Sequence, residues 1–442
     1  MWRSIWCWLL LNVEALVAAG PSGDQELGWA DHCAASSSWS ELPWDLLDCI
    51  LQHLELPEAL AVASVCAPWR SGAAASGVPR SSTPWLVLQP GVLSPHEKTA
   101  TGETPHSQFR NLLGTNKKYT VSLSSQGRSH LAWCGASHGW LIASEEKLPR
   151  CSNLLLYNPF TFAAIPLPPI TDLGGAITTV YHDDGVNIIG YHYEEYDEIL
   201  ARLPLKFTSK FFDKVVLSCD PSRGGADCIA MAIYGLNQVS FARPSESSWR
   251  LAPIAQMGTD TYADCIYHKG RFYAVTMNGT VETWDLGMGP AQDPKKHVLI
   301  DTEPGIKKYM GIHARFLVST PWGALLQIRV LLHNHIKFRN RRMKVEVLQV
   351  HVEKHKLVKL SPSTAFREHA VFVGLNESAC LHPKDFPELR SNCVYFTTPM
   401  VTHKEEDWSC IFHLESQTFE RVLTRTMRTI LCPREVWFIP NI

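Results

Sequence analysis

Leu42, Leu46, Leu47, Ile50, Leu51 and Leu54 recur at intervals of one, three or four positions, while Asp45 and Asp48 fall on the opposite side. One face of an amphipathic helix produces that period. Ser40 is a residue type that caps a helix start, and Pro43 suits a first turn, where a missing N–H costs nothing. Glu55-Leu56-Pro57 ends this helix and opens another, because proline disfavours a helical residue before it. The second helix carries Leu60, Ala63, Val65 and Cys66. Pro68 interrupts it, Trp69 begins a short third helix through Ala75, and Gly77 and Pro79 stop that one. A triplet of about 35 residues falls below the roughly 40 at which a lone chain holds itself together. It has more apolar residues than three short helices can bury among themselves. The surplus packs either on the chain downstream or on a partner.

After Pro84 the pattern changes. Short apolar segments alternate with Gly, Pro, Asn and Asp turns, among them Trp85–Leu88, Gly139–Ile142, Leu154–Tyr157, Val215–Leu217, Cys228–Tyr234 and Arg271–Val275. Regular short strands with turn signals predict an all-β sandwich, barrel or propeller. No long helical pattern separates them, which argues against a βαβ design. Three segments repeat one shape, a Gly followed by an apolar strand: His138-Gly139-Trp140, Lys269-Gly270-Arg271 and Trp322-Gly323-Ala324. Such units read as propeller blades, and at about 40–50 residues each they predict six to eight. The last strand, Val436-Trp437-Phe438-Ile439, is placed to pair with an early one and close a ring.

Charge removes some classes of function. Lys+Arg is 41 and Asp+Glu is 43 in 442 residues, a net charge of -2. That leaves no general electrostatic drive toward nucleic acid or an anionic membrane. No apolar run reaches the 18 or so residues of a membrane span. The 13 cysteines include no CxxC, the closest pair being Cys219 and Cys228, so zinc-ribbon and thioredoxin sites are not expected. Reduced, mostly buried thiols in the cytoplasm or nucleus are the expectation. Ile5–Leu11 with Val17-Ala18-Ala19 is a weak match to a secretory signal, because Asn12 and Glu14 interrupt it and Arg3 is its whole positive region. Residues 1–38 read as an extension and linker, with the Gly, Ala and Ser of 20–38 showing no period.

Other motifs have plainer structural readings. His351 and His355 stand four apart, a ligand spacing on a helix, but Val345, Val347, Val350 and Val352 place them on a strand, roughly 13 Å apart at about 3.3 Å per residue. His333-Asn334-His335 reads as a turn. Lys337–Lys344 is a basic run, read as a loop between the strands of Leu331 and Val345. Asn278-Gly279-Thr280 and Asn376-Glu377-Ser378 match glycosylation acceptors that a cytosolic chain leaves unused, and Asn278-Gly279 is better read as a tight hairpin turn. Tyr191–Glu198 reads as an exposed acidic and aromatic loop. No GxSxG, Walker A, HExxH or GxGxxG motif is present. No catalytic residue, metal ligand or cofactor is expected. Trp140, Phe160, Phe241, Trp249, Phe272, Tyr273 and Trp284 are expected in blade cores.

The run WSELPWDLLDCILQHLELPEALAVASVCAPWRSGA resembles an F-box, through Leu42-Pro43, the Leu46/Leu47 pair, Ile50-Leu51, Leu54, Val65-Cys66 and Trp69. The resemblance implies docking on a Skp1-type adaptor, and through it on a cullin, by Leu42, Pro43, Leu46, Leu47, Ile50, Leu51 and Trp69. Some of these must instead build the core of the triplet, and the sequence does not sort them.

The remainder resembles the plant domain-of-unknown-function 295 family, a Kib-type β-propeller. The likeness rests on His138–Leu141, Asn158–Thr161, Leu167–Pro169, Ser240–Pro244, Trp249, Tyr267–Val275 through Trp284-Asp285, and Phe386–Thr397. It implies a mainly β chain, with a three-helix F-box over 39–78 and a propeller-like domain over 84–442. The implied role is the substrate receptor of an SCF-type ubiquitin ligase with an unnamed target protein. The alternatives are a propeller enzyme, needing convergent carboxylates or a metal, and a secreted lectin-like protein, needing a working signal over the first residues.

Overall fold

The computed structural model describes residues 42–54, 56–63, 65–75, 84–88, 107–111, 118–121, 131–147, 151–159, 163–169, 177–181, 188–193, 203–204, 212–224, 227–234, 238–252, 260–286, 293–301, 312–333, 342–397, 408–424 and 435–440. The expectations for Ser40, Gly77, Pro79, Phe160, residues 1–38, Tyr191–Glu198 beyond residue 193, and the basic run before residue 342 lie outside them. The chain forms two compact units, one containing residues 42–54 and 61–78 and one containing residues 55–60 and residue 79 onward.

The helical period is realised as α1 (Trp44–Gln52), α2 (Leu56–Ala63) and α3 (Ala67–Ala75). Pro43 is the N-cap of α1 rather than a first-turn residue, and its carbonyl accepts from the amides of Leu46 and Leu47 at 3.1 Å. Pro68 stands inside the first turn of α3 instead of interrupting α2, so Val65 and Cys66 fall between the two helices. A proline N–H is not needed there, which is why the helix starts before it.

The large unit is built from short antiparallel strands. β1 (Trp85–Leu88), β2 (Ser107–Arg110) and β3 (Lys118–Val121) precede β4 (Leu131–Ser137), β5 (Trp140–Lys147), β6 (Cys151–Tyr157) and β7 (Ala164–Pro169). Next come β8 (Ile177–Tyr181), β9 (Ile188–Tyr193) and β10 (Leu203–Pro204), then β11 (Phe212–Leu217), β12 (Ala230–Tyr234), β13 (Gln238–Ala242) and β14 (Arg250–Leu251). They are followed by β15 (Tyr262–His268), β16 (Arg271–Thr276), β17 (Val281–Asp285) and β18 (Lys295–Ile300), and by β19 (Ile312–Ser319), β20 (Leu325–His333), β21 (Arg342–His351) and β22 (Lys356–Lys359). β23 (Ala370–Val373), β24 (Ala379–Leu381), β25 (Cys393–Phe396), β26 (Trp408–His413), β27 (Thr418–Thr424) and β28 (Glu435–Phe438) complete the chain order.

Six of the resulting sheets are propeller blades, with strand orders β28-β1-β2-β3, β4-β5-β6-β7, β11-β12-β13-β14, β15-β16-β17-β18, β19-β20-β21-β22 and β24-β23-β25-β26-β27. The inner strands β28, β4, β11, β15, β19 and β24 succeed one another around the axis. Six apolar clusters fill the six gaps between neighbouring blades and close the circle. The count sits at the lower end of six to eight. Part of the chain goes into a separate three-stranded sheet, β10-β9-β8, and β4 packs directly against β11 across it in sequence.

This packing explains the unbroken apolar runs. A blade is covered on both faces, so its strands do not alternate apolar with polar. In β1, Trp85 and Val87 join the cluster shared with the second blade, whereas Leu86 and Leu88 join the cluster shared with the sixth. β28 divides in the same way, Val436 and Phe438 to one side and Trp437 to the other. Its pairing with β1, Leu86 opposite Trp437, joins the last described strand to the first and shuts the ring.

The repeated Gly sits in the tight turn between the first two strands of a blade. His138-Gly139, Lys269-Gly270 and Trp322-Gly323 each link the first strand of a blade to its second, with glycine φ of 77°, 83° and 78°. At Gly270 nothing lies within 4 Å of where a Cβ would stand, so backbone conformation alone calls for glycine there. His138 and Lys269 also have positive φ, as the central pair of such a hairpin turn requires. Asn278-Gly279 is likewise a turn, between β16 and β17. The expected aromatic core positions Trp140, Phe241, Trp249, Phe272, Tyr273 and Trp284 are buried. His351 and His355 do not share a strand: β21 ends at His351, a 3-10 turn follows, and His355 is left-handed with φ of 47°. His333 is a strand residue, the last of β20, with Asn334 and His335 outside the described residues. Nine cysteines whose side chains are described are free, six of them buried.

Charged groups at the axis tie the blades together. Lys214 on β11 forms an ion pair with Asp264 on β15, their side chains 5% and 1% exposed. Asp264 Oδ2 accepts the amide of Leu317 on β19 at 2.7 Å, and Lys214 Nζ donates to the Gly374 carbonyl at 3.3 Å. One pair therefore touches the third, fourth, fifth and sixth blades. Burial pushes the Asp264 carboxyl up, opposed by Lys214 and the backbone amides of Leu317 and Cys265.

Two outcomes are expected. Lys214→Met should destabilise the propeller by about 3–5 kcal/mol, because Asp264 keeps its burial and loses its counter-charge. The unpaired carboxyl then takes up a proton more readily in the folded than in the unfolded state. The deficit relative to wild type should therefore shrink as pH falls; a deficit constant with pH in denaturant titrations would contradict this. Lys269→Asn should stabilise by roughly 0.5–1 kcal/mol in thermal melts, since asparagine tolerates the left-handed turn position better than lysine.

Candidate functional site

α1 carries two adjacent apolar stripes, not one. The inner stripe, Leu47 and Leu51, is 3% and 2% exposed and forms a small core with Val62 of α2 and Ala73 of α3. Leu42, Leu54, Ala63 and Trp69 pack partly buried against it. Gly72 of α3 permits the close approach of α1: a Cβ there would stand 2.6 Å from Leu47 Cδ2 and 2.9 Å from the Trp44 ring. The outer stripe faces water. Leu46 is 54% exposed, Pro43 is exposed and Ile50 is half-buried. Trp44, one residue from the proline, is 44% exposed.

The seven residues singled out in the sequence thus divide. Leu47 and Leu51 are core, Leu42 and Trp69 are half-buried against that core, and Pro43, Leu46 and Ile50 make the outer stripe. Trp44 was missed. A tryptophan beside the capping proline, three residues before Leu47, was the signal available, but one helix period cannot say whether an edge residue turns in or out.

A second site lies in the propeller. After β23 the segment Gly374–Ser378 runs along the inner strand β4, with a parallel bridge between Ala136 and Asn376 and the Glu377 amide donating to the Ala136 carbonyl at 2.7 Å. This places the Glu377 carboxylate among three groups. Ser137 Oγ donates to it, the Tyr267 amide donates to it, and His138 Nε2 stands 3.6 Å away. Ser137 Oγ also accepts from the Leu217 amide at 3.1 Å, so its hydrogen bonds join the second, third and sixth blades. Burial pushes the Glu377 carboxyl above its ordinary range, with His138, Ser137, Lys214 and the Tyr267 amide opposing. The carboxylate borders a cavity of about 310 Å³, with Trp437 and Pro440 on its wall.

Four side-chain polar atoms of the residues lining this cavity have no hydrogen-bond partner: Asn376 Oδ1, Ser378 Oγ, His138 Nε2 and Trp437 Nε1. The first two are acceptors. Asn376 and Ser378 are 1% and 6% exposed. Asn376, matched in the sequence as a glycosylation acceptor, has its amide nitrogen donating to the Glu377 carbonyl at 2.8 Å. Its burial closes it to a glycosylating enzyme. Among the described residues no group of three or more His, Cys, Asp or Glu could hold a metal ion, and no described helix is long and apolar enough to cross a membrane.

Comparison with known proteins places this geometry. The F-box domain family matches residues 39–73 and the KIB1-4 beta-propeller family matches residues 109–415. The Arabidopsis thaliana protein At4g22660, named as an F-box protein, is 32% identical over 30% of this chain and 31% of its own length. At4g22180 of the same organism, also named as an F-box protein, is 28% identical over 39% of each. The chain thus spans well under half of these two relatives. A third Arabidopsis F-box protein, At4g17565, is 21% identical over 91% of this chain and 95% of its own length. Among solved structures, YCF48 bound to D1 peptide aligns at 12% identity over 72% of this chain and 78% of that one, with a TM-score of 0.29, too distant to bear on function. The matched stretches coincide with the helical triplet and the ring of blades, and the chain belongs to the KIB1-4 β-propeller family with an F-box domain ahead of its propeller.

Proposed function

We propose that this chain is the substrate receptor of a Skp1–cullin–F-box ubiquitin ligase, the helical unit docking on a Skp1-type adaptor and the propeller holding a target protein. The observation that carries this reading is the outer stripe of α1. Leu46 at 54% and Trp44 at 44% exposure, beside Pro43 and Ile50, leave an apolar surface on a unit too small to need it for its own core. Leu42, Leu47, Leu51 and Trp69 serve that surface from behind by fixing α1 against α2 and α3.

The mechanism is proximity. A receptor that holds a target beside a charged conjugating enzyme raises the effective concentration of the target's lysines and needs no catalytic group of its own. The chain itself would then catalyse nothing and would work in the cytoplasm or nucleus. A propeller enzyme is the other reading, and no observation favours it.

The test is a pull-down and titration of the full chain with a purified Skp1-type adaptor. Wild type should bind. Leu46→Asp should weaken binding by tenfold or more with an unchanged thermal transition, since its side chain already faces water. Leu47→Asp should lose both binding and helical circular dichroism, because it buries a charge. A folded wild type that ignores the adaptor would overturn the proposal.

A further inference from the structure

The pocket beside Glu377 has a charge pattern that its own residues leave incomplete. Two carboxylates, the buried Asp264 and the Glu377 group at 16% side-chain exposure, share one lysine among the described residues, and that lysine is bonded to Asp264. Lys214 forms its ion pair with Asp264 and donates to the Gly374 carbonyl. Glu377 is left with neutral donors, Ser137 Oγ and the Tyr267 amide, and with His138 at 3.6 Å. A largely desolvated carboxylate without a hydrogen-bonded counter-charge is costly, and it is relieved by a proton or by a cation that reaches it. The cavity of about 310 Å³ gives a cation the route.

The remaining groups match such a guest. Asn376 Oδ1 and Ser378 Oγ line the same cavity, are almost fully buried, and accept nothing from the protein. Buried acceptors in native folds are nearly always satisfied, so two at one pocket mark a place where a donor belongs. Trp437 and Pro440 form an apolar wall suited to the methylene stem that carries an ammonium or guanidinium. The indole N–H of Trp437, also without a partner, can serve a carbonyl on the same guest.

We infer that this axial pocket binds a cationic nitrogen group, a protonated primary amine or a guanidinium, with Glu377 as its counter-charge and Asn376 and Ser378 as its acceptors. The inference stands on the propeller alone and does not depend on adaptor docking. The cation can come from a free small amine or from a basic side chain of a bound protein, two sources with one chemistry.

Calorimetric titration of the full chain with four probes separates the outcomes. The probes are N-acetyl-lysine amide, N-acetyl-arginine amide, their uncharged counterpart N-acetyl-norleucine amide, and putrescine. At least one cationic probe should bind ten times more tightly than the norleucine amide and weaken with added salt. Tighter binding of putrescine assigns a free amine, and tighter binding of the lysine or arginine amide assigns a protein side chain. Glu377→Gln should reduce the preference for charge at least tenfold. Because Glu377 also joins blades, Ser378→Ala provides a second variant: its hydroxyl bonds to nothing in the fold, so stability should hold while affinity for the cation drops several-fold. Equal affinity for the norleucine amide, no binding of any cationic probe to folded wild type, or unchanged affinity in Ser378→Ala would each overturn the inference.

Discussion

The Lys214–Asp264 pair and the Glu377 carboxylate are the contacts on which the ring depends. A propeller brings six inner strands to one axis, where each presents backbone groups that no further strand can pair. Asp264 takes the Leu317 amide, Glu377 takes the Tyr267 amide, and Ser137 takes the Leu217 amide. These side chains do for the axis what a hydrogen-bonded neighbour does elsewhere in a sheet. They are buried at the point where the blades converge, so the cost of misplacing one is felt by several blades at once.

The apolar clusters between blades supply bulk stabilisation, and the axis supplies registration. Each cluster is shared in the main by two neighbouring blades, with Leu375 of the sixth blade's segment added to the cluster between the first and second. The pairing of β28 with β1 shuts the ring, and the charged axis ties its blades together. The Gly374–Ser378 segment is the meeting point of the two devices. It leaves the sixth blade, lies against the second, and carries both the Glu377 carboxylate and the unpartnered acceptors of the pocket. The structural pin and the candidate binding site are therefore one segment.

The helical unit solves a different problem. Its core is four buried residues, few for an independent fold, and it still exposes Leu46 and Trp44. Gly72 lets α1 lie close enough to α3 for that core to close. The outer stripe is then free for recognition, and its rigidity comes from the stripe beside it.

Much of this could be read in the residues. The i, i+3, i+4 spacing over Leu42–Leu54, the short apolar runs after Pro84, the repeated turn glycines and the closing strand at Val436–Phe438 each follow from local backbone physics, and the two family resemblances rested on these same segments. Local pattern is blind to what happens across sequence distance. It could not divide Leu46 from Leu47, because a helix period defines a stripe and not which edge of it a neighbour will cover. It could not see Lys214, Asp264 and Glu377 as one group, because they lie far apart in the chain until ring closure brings the strands together. Local pattern carries the elements and the likeness to F-box and propeller families. Which leucines are surface, how many blades close the ring, and where a carboxylate and two unpartnered acceptors meet a cavity each depend on contacts between residues far apart in the chain.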